Sequence, residues 1–437
     1  CHLRATHGAY FPLQSFFQRI LDWKLFKHQL ALVPSNHNEL HIKISWDGYS
    51  HFHQKLESWY MIFYDVLHSQ SSMHAHCFAI SRMSESSVNF QTVCTEIDLN
   101  GFVQWLQSFN ISINSQLYQI NLMTSADWIG FIVELGAPRP GTRSLTDIVC
   151  PSCGCDKHYL RHLWLEHPWG VKHPQLSIAN FPSATIQSLP LHMRRYDWMH
   201  GSTLLLHHCL MNIYLDFTPR TVQKSTFFKF VEKFRKNWSI KNLLEPIGMK
   251  KWWTSDWIRY FEKIFNNNPN HHSITWSDGN TWICSICQMW TLLIDSCRVY
   301  YEFAYTQHPN QEDFIPLYYA RHAICSIFAF KRWRLDPTTH FMLNEAIIYA
   351  IQDNGAYHTL QESVEHANHD VKEDCRCTSA RDLTEALNHQ ELERRLMELN
   401  YYSAPIEQEL ELTYNKHSTI AFAKYTPLAF TVASFSD

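Results

Sequence analysis

The chain has 437 residues, with 37 Lys and Arg against 41 Asp and Glu, a net charge of -4 when histidine is neutral. That length holds two or three domains, each burying its own core, and the charge excludes a globally basic field, so any contact with nucleic acid must come from local patches. The 16 Trp, 20 Tyr and 27 Phe beside only 12 Gly exclude a disordered chain, and no run reaches the roughly 18 apolar residues that a membrane span needs.

The first residue is Cys1, which suggests a fragment or a processed chain, and the basic-then-apolar layout of a signal peptide is missing. The expectation is a soluble intracellular protein without membrane contact. Thirteen Cys is an odd count, so reduced thiols and metal ligands are expected rather than a disulfide framework.

Residues 11–32 carry Leu13, Phe16, Phe17, Ile20 and Leu21 at helical spacing, and Pro34-Ser35-Asn36 ends the segment. In residues 40–46, Leu40, Ile42, Ile44 and Trp46 alternate with His41, Lys43 and Ser45, the pattern of a half-buried strand that stops on Asp47-Gly48. Two further strands are predicted over 59–67 and 74–81. A helix follows over 98–109, with Phe102, Val103, Trp105, Leu106 and Phe109 on its apolar side. A fourth strand over 116–123 runs into Thr124-Ser125-Ala126-Asp127, and a short buried helix over 128–135 is stopped by Gly136 and Pro138.

Strand, strand, strand, helix, strand, helix is the order of a ribonuclease-H-like fold, an α/β mixed sheet covered by helices. In that order Asp47 and Asp127 share one rim of the sheet. After Pro190 the apolar spacing is mainly helical, with loops at 266–270 and 308–313, as expected of a large insertion. The chain returns to the core near 360–368 on a helix bearing Glu362 and Glu365. The expected division is a helical segment over 1–38, the first part of the core over 39–136, the insertion over 137–355, core-returning helices over 356–400 and a tail over 401–437.

Three carboxylates converging on two divalent cations is what phosphodiester hydrolysis and transfer require. Each acid alone has a plainer explanation: Asp47-Gly48 is a favoured hairpin dipeptide, Asp127 suits a helix N-cap, and Glu365 suits a solvated helix face. Cys150-Pro151-Ser152-Cys153 has the spacing of a zinc half-site; His340 and Glu345 are candidates to complete it, and Cys155 and His158 are rivals. Buried thiols and a satisfied core histidine explain the same residues. Cys284 and Cys287 lie in an apolar helical run and point to packing.

Residues 224–253 interleave Lys229, Lys233, Arg235, Lys236, Lys241, Lys250 and Lys251 with Phe227, Phe228, Phe230, Phe234, Trp238, Trp252 and Trp253. Cations for phosphates and rings for bases would make a nucleic-acid face, and an amphipathic helix with a basic solvated side accounts for them equally well. Asp197 and His200, three apart, share a face if helical. Beside a phosphate that imidazole could donate a hydrogen bond or a proton; among 28 His it is as readily structural.

Taken in order, Trp46-Asp47-Gly48, Asp127, Cys150 with Cys153, Asp197 with His200, His340, and the Glu362, Glu365, Asn368 series resemble the catalytic core of DDE transposases with a zinc-binding insertion. That group includes the V(D)J recombinase catalytic subunit. The likeness spans about residues 39–368 and implies a ribonuclease-H-like core with a large, mainly helical insertion carrying a zinc site. It also implies a nuclease and strand transferase in which Asp47, Asp127 and Glu365 hold two Mg2+ or Mn2+, with His200 near the reacting phosphate. Zn2+ would sit on Cys150, Cys153, His340 and Glu345. Family members place a second His where Glu345 stands, so this position departs from the pattern, although zinc accepts carboxylate oxygen. DNA contact through Lys229, Lys233, Arg235, Lys236, Lys250 and Lys251, a homodimer, and a nuclear or otherwise intracellular location follow as expectations. The alternative is a catalytically inactive transposase-derived DNA-binding or scaffolding protein.

Overall fold

The computed structural model describes residues 3–134 (apart from 6–7, 27–29, 31–38, 52–53, 67–68, 83–86 and 114), 193–217, 273–275, 281–283, 285–377 apart from 308, and 383–403. It is a mixed α/β structure built on one curled sheet of eight strands. Strand β3 (Glu39–His51) is central, and alternation explains why. Leu40, Ile42, Ile44 and Trp46 are all buried on one face, where Trp46 meets Phe90 at 4.7 Å between ring centroids. On the other face lie Lys43, Ser45 and Asp47.

Around β3 the chain lays β4 (Gln54–Phe63) and β5 (Ala75–Ser81) antiparallel, and β7 (Gln116–Ala126) parallel on its opposite side. The short strand β8 (Arg194–Tyr196) pairs parallel with the end of β7, and β6 (Asn110–Ile113) pairs antiparallel with its beginning. Two N-terminal strands, β1 (Leu3–Ala5) and β2 (Gly8–Tyr10), extend the other edge through β5. These three- and four-residue strands are too short to show a period in the sequence. Helix α1 (Leu13–Phe26) lies within the predicted 11–32 and packs Phe17 on Phe63 of β4. Helix α2 (Ser87–Glu96), not predicted, supplies Phe90, and α3 (Leu99–Ser108) follows, capped by Asp98, whose side chain accepts from Gly101 N–H.

The first strand does not end at Asp47. It continues four residues to His51, because β4 pairs with it as far as Gln54 while β7 pairs only through Ser125, opposite Ser45. Beyond Ser45 the sheet on that side stops and a two-stranded ribbon continues, so Asp47 stands at the rim without ending its own strand.

The remaining helices are α4 (Trp128–Glu134), α5 (Trp198–Phe217), α6 (Ser285–Ala304), α7 (Phe314–Lys331), α8 (Pro337–Leu343), α9 (Glu345–Gln352), α10 (Glu362–Cys377) and α11 (Leu383–Ser403). The helical run predicted over 282–294 starts instead as strand: Trp282 and Ile283 belong to β10 (Thr281–Ile283), which pairs antiparallel with β9 (Ser273–Thr275), and the helix begins at Ser285. Helix α10 covers the polar face of β3, and α11 packs along β5 and β2. No helix among the described residues is long and apolar enough to cross a membrane.

Candidate active site at the ends of the parallel strands

Three aspartates share one row. In the parallel ladders Ser45 of β3 pairs with Ser125 of β7, and Ser125 pairs with Arg195 of β8. Two residues further along the chain from each come Asp47, still in β3, and Asp127 and Asp197, one residue past the ends of β7 and β8. The carboxyl ends of adjacent parallel strands are where open α/β sheets place ligands, since the helices that follow begin there. Two of the three aspartates start a helix. Asp127 Oδ1 accepts from Gly130 N–H at 2.7 Å at the head of α4, as expected of an N-cap. Gly130 allows α4 to come this close: a Cβ there would stand 2.7 Å from Ala126 Cβ and 3.2 Å from Trp46. Asp197 heads α5, and its own N–H donates to Ala126 O at 2.9 Å, continuing the β7–β8 register.

Asp197 is fully buried and its oxygens are occupied. Oδ1 accepts from the N–H groups of Met199 and Gln361, each at 3.1 Å. Oδ2 lies 2.5 Å from His200 Nδ1. The other imidazole nitrogen, Nε2, is 3.4 Å from Glu365 Oε1 on α10. Burial opposes charge on this imidazole, yet the hydrogen bonds and charges of Asp197 and Glu365 raise its pKa well above the usual value. His200 therefore bridges the aspartate row and α10. Asp127 feels the same crowd: its pKa is raised, first by burial and then by Asp197 and Glu365, against the pull of Gly130 N–H and His200.

Asp47 joins through Asn368, one helical turn beyond Glu365. Asn368 Nδ2 donates to Asp47 Oδ2 at 2.5 Å, and its Oδ1 accepts from Tyr60 O–H at 2.6 Å. Glu365 meets the row through His200, its Oε1 lying 3.4 Å from Nε2. Glu362 opens α10 beside other groups, its charge helping burial to raise the pKa of Tyr305 and of Tyr357.

Several residues of the site carried no signal in the sequence. Gln361, fully buried, donates from Nε2 to Ser45 Oγ at 2.6 Å and to Ser125 O at 2.8 Å. Ser125 Oγ donates to Thr359 O at 2.6 Å. Lys43 lies behind the row, donates to Leu360 O, and is pushed down to about 7 by burial, with Asp197 pulling the other way. Periodicity marks such positions as polar strand residues and gives no sign that a helix some 300 residues later will cover them.

The zinc expectation divides. Cys150 and Cys153, with Cys155 and His158, lie outside the described residues, as do Lys229, Lys233, Arg235, Lys236, Lys250 and Lys251. His340 is buried on α8, its Nδ1 3.0 Å from Asn344 Nδ2, and Glu345 is the first residue of α9. Among the described residues, no three His, Cys, Asp or Glu side chains are grouped so as to hold a metal ion. No protein-family model and no curated protein sequence matches the chain.

Proposed function

We propose that the chain is a metal-dependent DNA nuclease and strand transferase of the DDE transposase type, on a ribonuclease-H-like core. The observation that carries this is the placement of Asp47, Asp127 and Asp197, each two residues beyond the paired Ser45, Ser125 and Arg195, with Glu365 joined to Asp197 through His200 from a helix more than 200 residues beyond Asp127 in the chain. The strand order β5-β4-β3-β7-β8, three antiparallel strands followed by parallel ones, supports the same reading.

Carboxylate oxygens without a thiolate are the donor type that Mg2+ or Mn2+ takes, although Asp47, Asp127 and Glu365 as placed here form no three-residue group around one ion. Asp47, Asp127 and Glu365 would be the ligands, and bound ions would activate the attacking oxygen and stabilise the leaving one. The chain's own part is positioning. Asn368 fixes the Asp47 carboxylate, Gly130 N–H fixes that of Asp127, and Asp197 fixes the imidazole of His200 so that Nε2 can donate to a phosphate oxygen. In the cut, the oxygen of water bonds to phosphorus as the P–O3′ bond breaks; the water proton leaves to solvent and the 3′ oxygen takes one up. In transfer, the freed 3′-hydroxyl attacks a second phosphodiester, forming one P–O bond as another breaks. Zn2+ on Cys150, Cys153, His340 and Glu345, DNA contact through the 229–251 cations and a homodimer belong to the same proposal.

A second reading has its own observation. Glu365 is engaged by His200 and Asp47 by Asn368, an arrangement that suits a transposase-derived protein that binds DNA and no longer cuts. Plasmid nicking in Mg2+ or Mn2+, with the parent chain and Asp47→Asn side by side, separates the two. Cutting by the parent that the variant lacks is expected; equal activity in both proteins would end the nuclease reading. Tight DNA binding without any metal-dependent cutting would establish the second.

A further inference from the structure

We propose that Gln361 is the positioning residue that sets Glu365 against the aspartate row, an inference that rests on the nuclease reading for its catalytic consequence but not for its geometry. One buried side chain and its own peptide units bond Asp197 directly, the peptide of Glu365, and the strand positions two residues before Asp47 and Asp127. Nε2 donates to Ser45 Oγ, two residues before Asp47, and to Ser125 O, two residues before Asp127. The Gln361 N–H donates to Asp197 Oδ1 at 3.1 Å. The Gln361 carbonyl accepts from Glu365 N–H at 2.9 Å, the bond that starts the first turn of α10. Strands β3, β7 and β8 and the helix bearing the fourth acid are therefore tied at one residue.

The chemistry of the position argues against plain packing. Gln361 is 1 % exposed, and its Oε1 is buried with no hydrogen-bond partner among the described residues. An unsatisfied buried acceptor is destabilising, and an apolar side chain of the same length would avoid that cost. Both amide protons are in use, one to a hydroxyl that itself donates to Ser125 O at 2.7 Å, so the two strands and the glutamine form one closed set of hydrogen bonds. What a hydrophobic residue could not supply is direction: the first turn of α10 is held at a fixed height above the row, and Glu365 with it. Sub-ångström placement of this kind matters in phosphoryl transfer, where a displacement of about 1 Å can cost about 10²-fold in rate.

The test uses the full chain and two variants, Gln361→Met, which keeps the length and removes both donors, and Ser45→Ala, which removes one acceptor. Amide hydrogen exchange without DNA or metal reads the geometry; nicking of supercoiled DNA in Mn2+ reads the consequence. In Gln361→Met, exchange at residues 359–365 should quicken at least about tenfold while β3 and β7 keep their protection. The kcat should fall about 10²-fold with KM for DNA within about twofold. Unchanged exchange at 359–365, or exchange that quickens equally across the whole sheet, would overturn the proposal, as would a rise in KM with kcat preserved. Should Gln361→Met not fold, Ser45→Ala must show the same local change in smaller degree, and no change there overturns it as well. A parent chain that cuts no DNA would count against the nuclease reading alone, with the exchange result still deciding the position of Gln361.

Discussion

At the scale of single residues, the sheet's buried polar groups make measurable commitments. Glu134 closes α4 with Oε1 accepting from Trp46 Nε1 at 2.8 Å and Oε2 from Thr124 Oγ1 at 2.9 Å. Burial pushes its carboxyl up to about 7 from 4.5, against Arg194 and those two donors. Between those values the folded chain keeps a proton that the unfolded chain has lost. The stability Glu134 contributes is therefore complete below pH 4.5 and is lost as pH rises through about 7. Glu134→Gln should flatten that slope, gaining up to about 3 kcal/mol on the parent between pH 5 and pH 8 in urea unfolding. Parallel pH profiles for the two proteins would contradict it. Tyr60→Phe tests a neighbouring link: it leaves the buried Asn368 Oδ1 without the phenol that bonds it at 2.6 Å, an expected loss of about 1–3 kcal/mol in thermal or urea melts. A melt indistinguishable from the parent would show that Asn368 is held by Asp47 alone.

Among elements, α11 is attached by charge as much as by packing. Glu398, fully buried, accepts from Lys24 Nζ at 2.9 Å and from Trp23 Nε1 at 2.7 Å, with His76 Nε2 at 3.2 Å and His74 Nδ1 at 3.4 Å. Burial works against the charge, yet these partners hold the carboxyl far below the usual carboxylate range. Removing one side of such a pair leaves an uncompensated buried charge, so Glu398→Leu should cost about 3–5 kcal/mol. Glu398→Leu combined with Lys24→Met should recover most of that loss, and strict additivity in the double-mutant cycle would refute the coupling. The same scale shows what the sequence made legible. Long periodic stretches, the alternation of β3 and the helical spacing of α1 and α3, are readable because each element buries one face. Strands β1, β2, β6 and β8 are not, since three or four residues carry no period and exist only because a partner edge is present. The sequence consequently pairs Asp197 with His200 without placing it beside Asp47 and Asp127. The Asp47-Gly48 dipeptide pointed to a turn, whereas continued pairing with β4 carries the strand through it.

Over the whole molecule, a row of acids gathered by strands 70 and 80 positions apart in sequence is a standing electrostatic cost, met in part by His200. Natural sites carry such costs when a ligand relieves them. Asp127→Asn isolates the effect, because asparagine caps a helix as well as aspartate does and can still accept from Gly130 N–H. With a chelator present the variant should melt at or above the parent's temperature, since it removes a charge that burial and two neighbouring carboxylates already disfavour. Added Mg2+ should then raise the parent's melting temperature and leave the variant's in place. A ligand at about 100 times its Kd stabilises by about 2.7 kcal/mol, a shift of about 2–4 °C or more in a domain of this size. Equal Mg2+ shifts in parent and variant would mean that the ion binds elsewhere, and the row would then be an architectural feature of the sheet's end rather than the place where the chemistry happens.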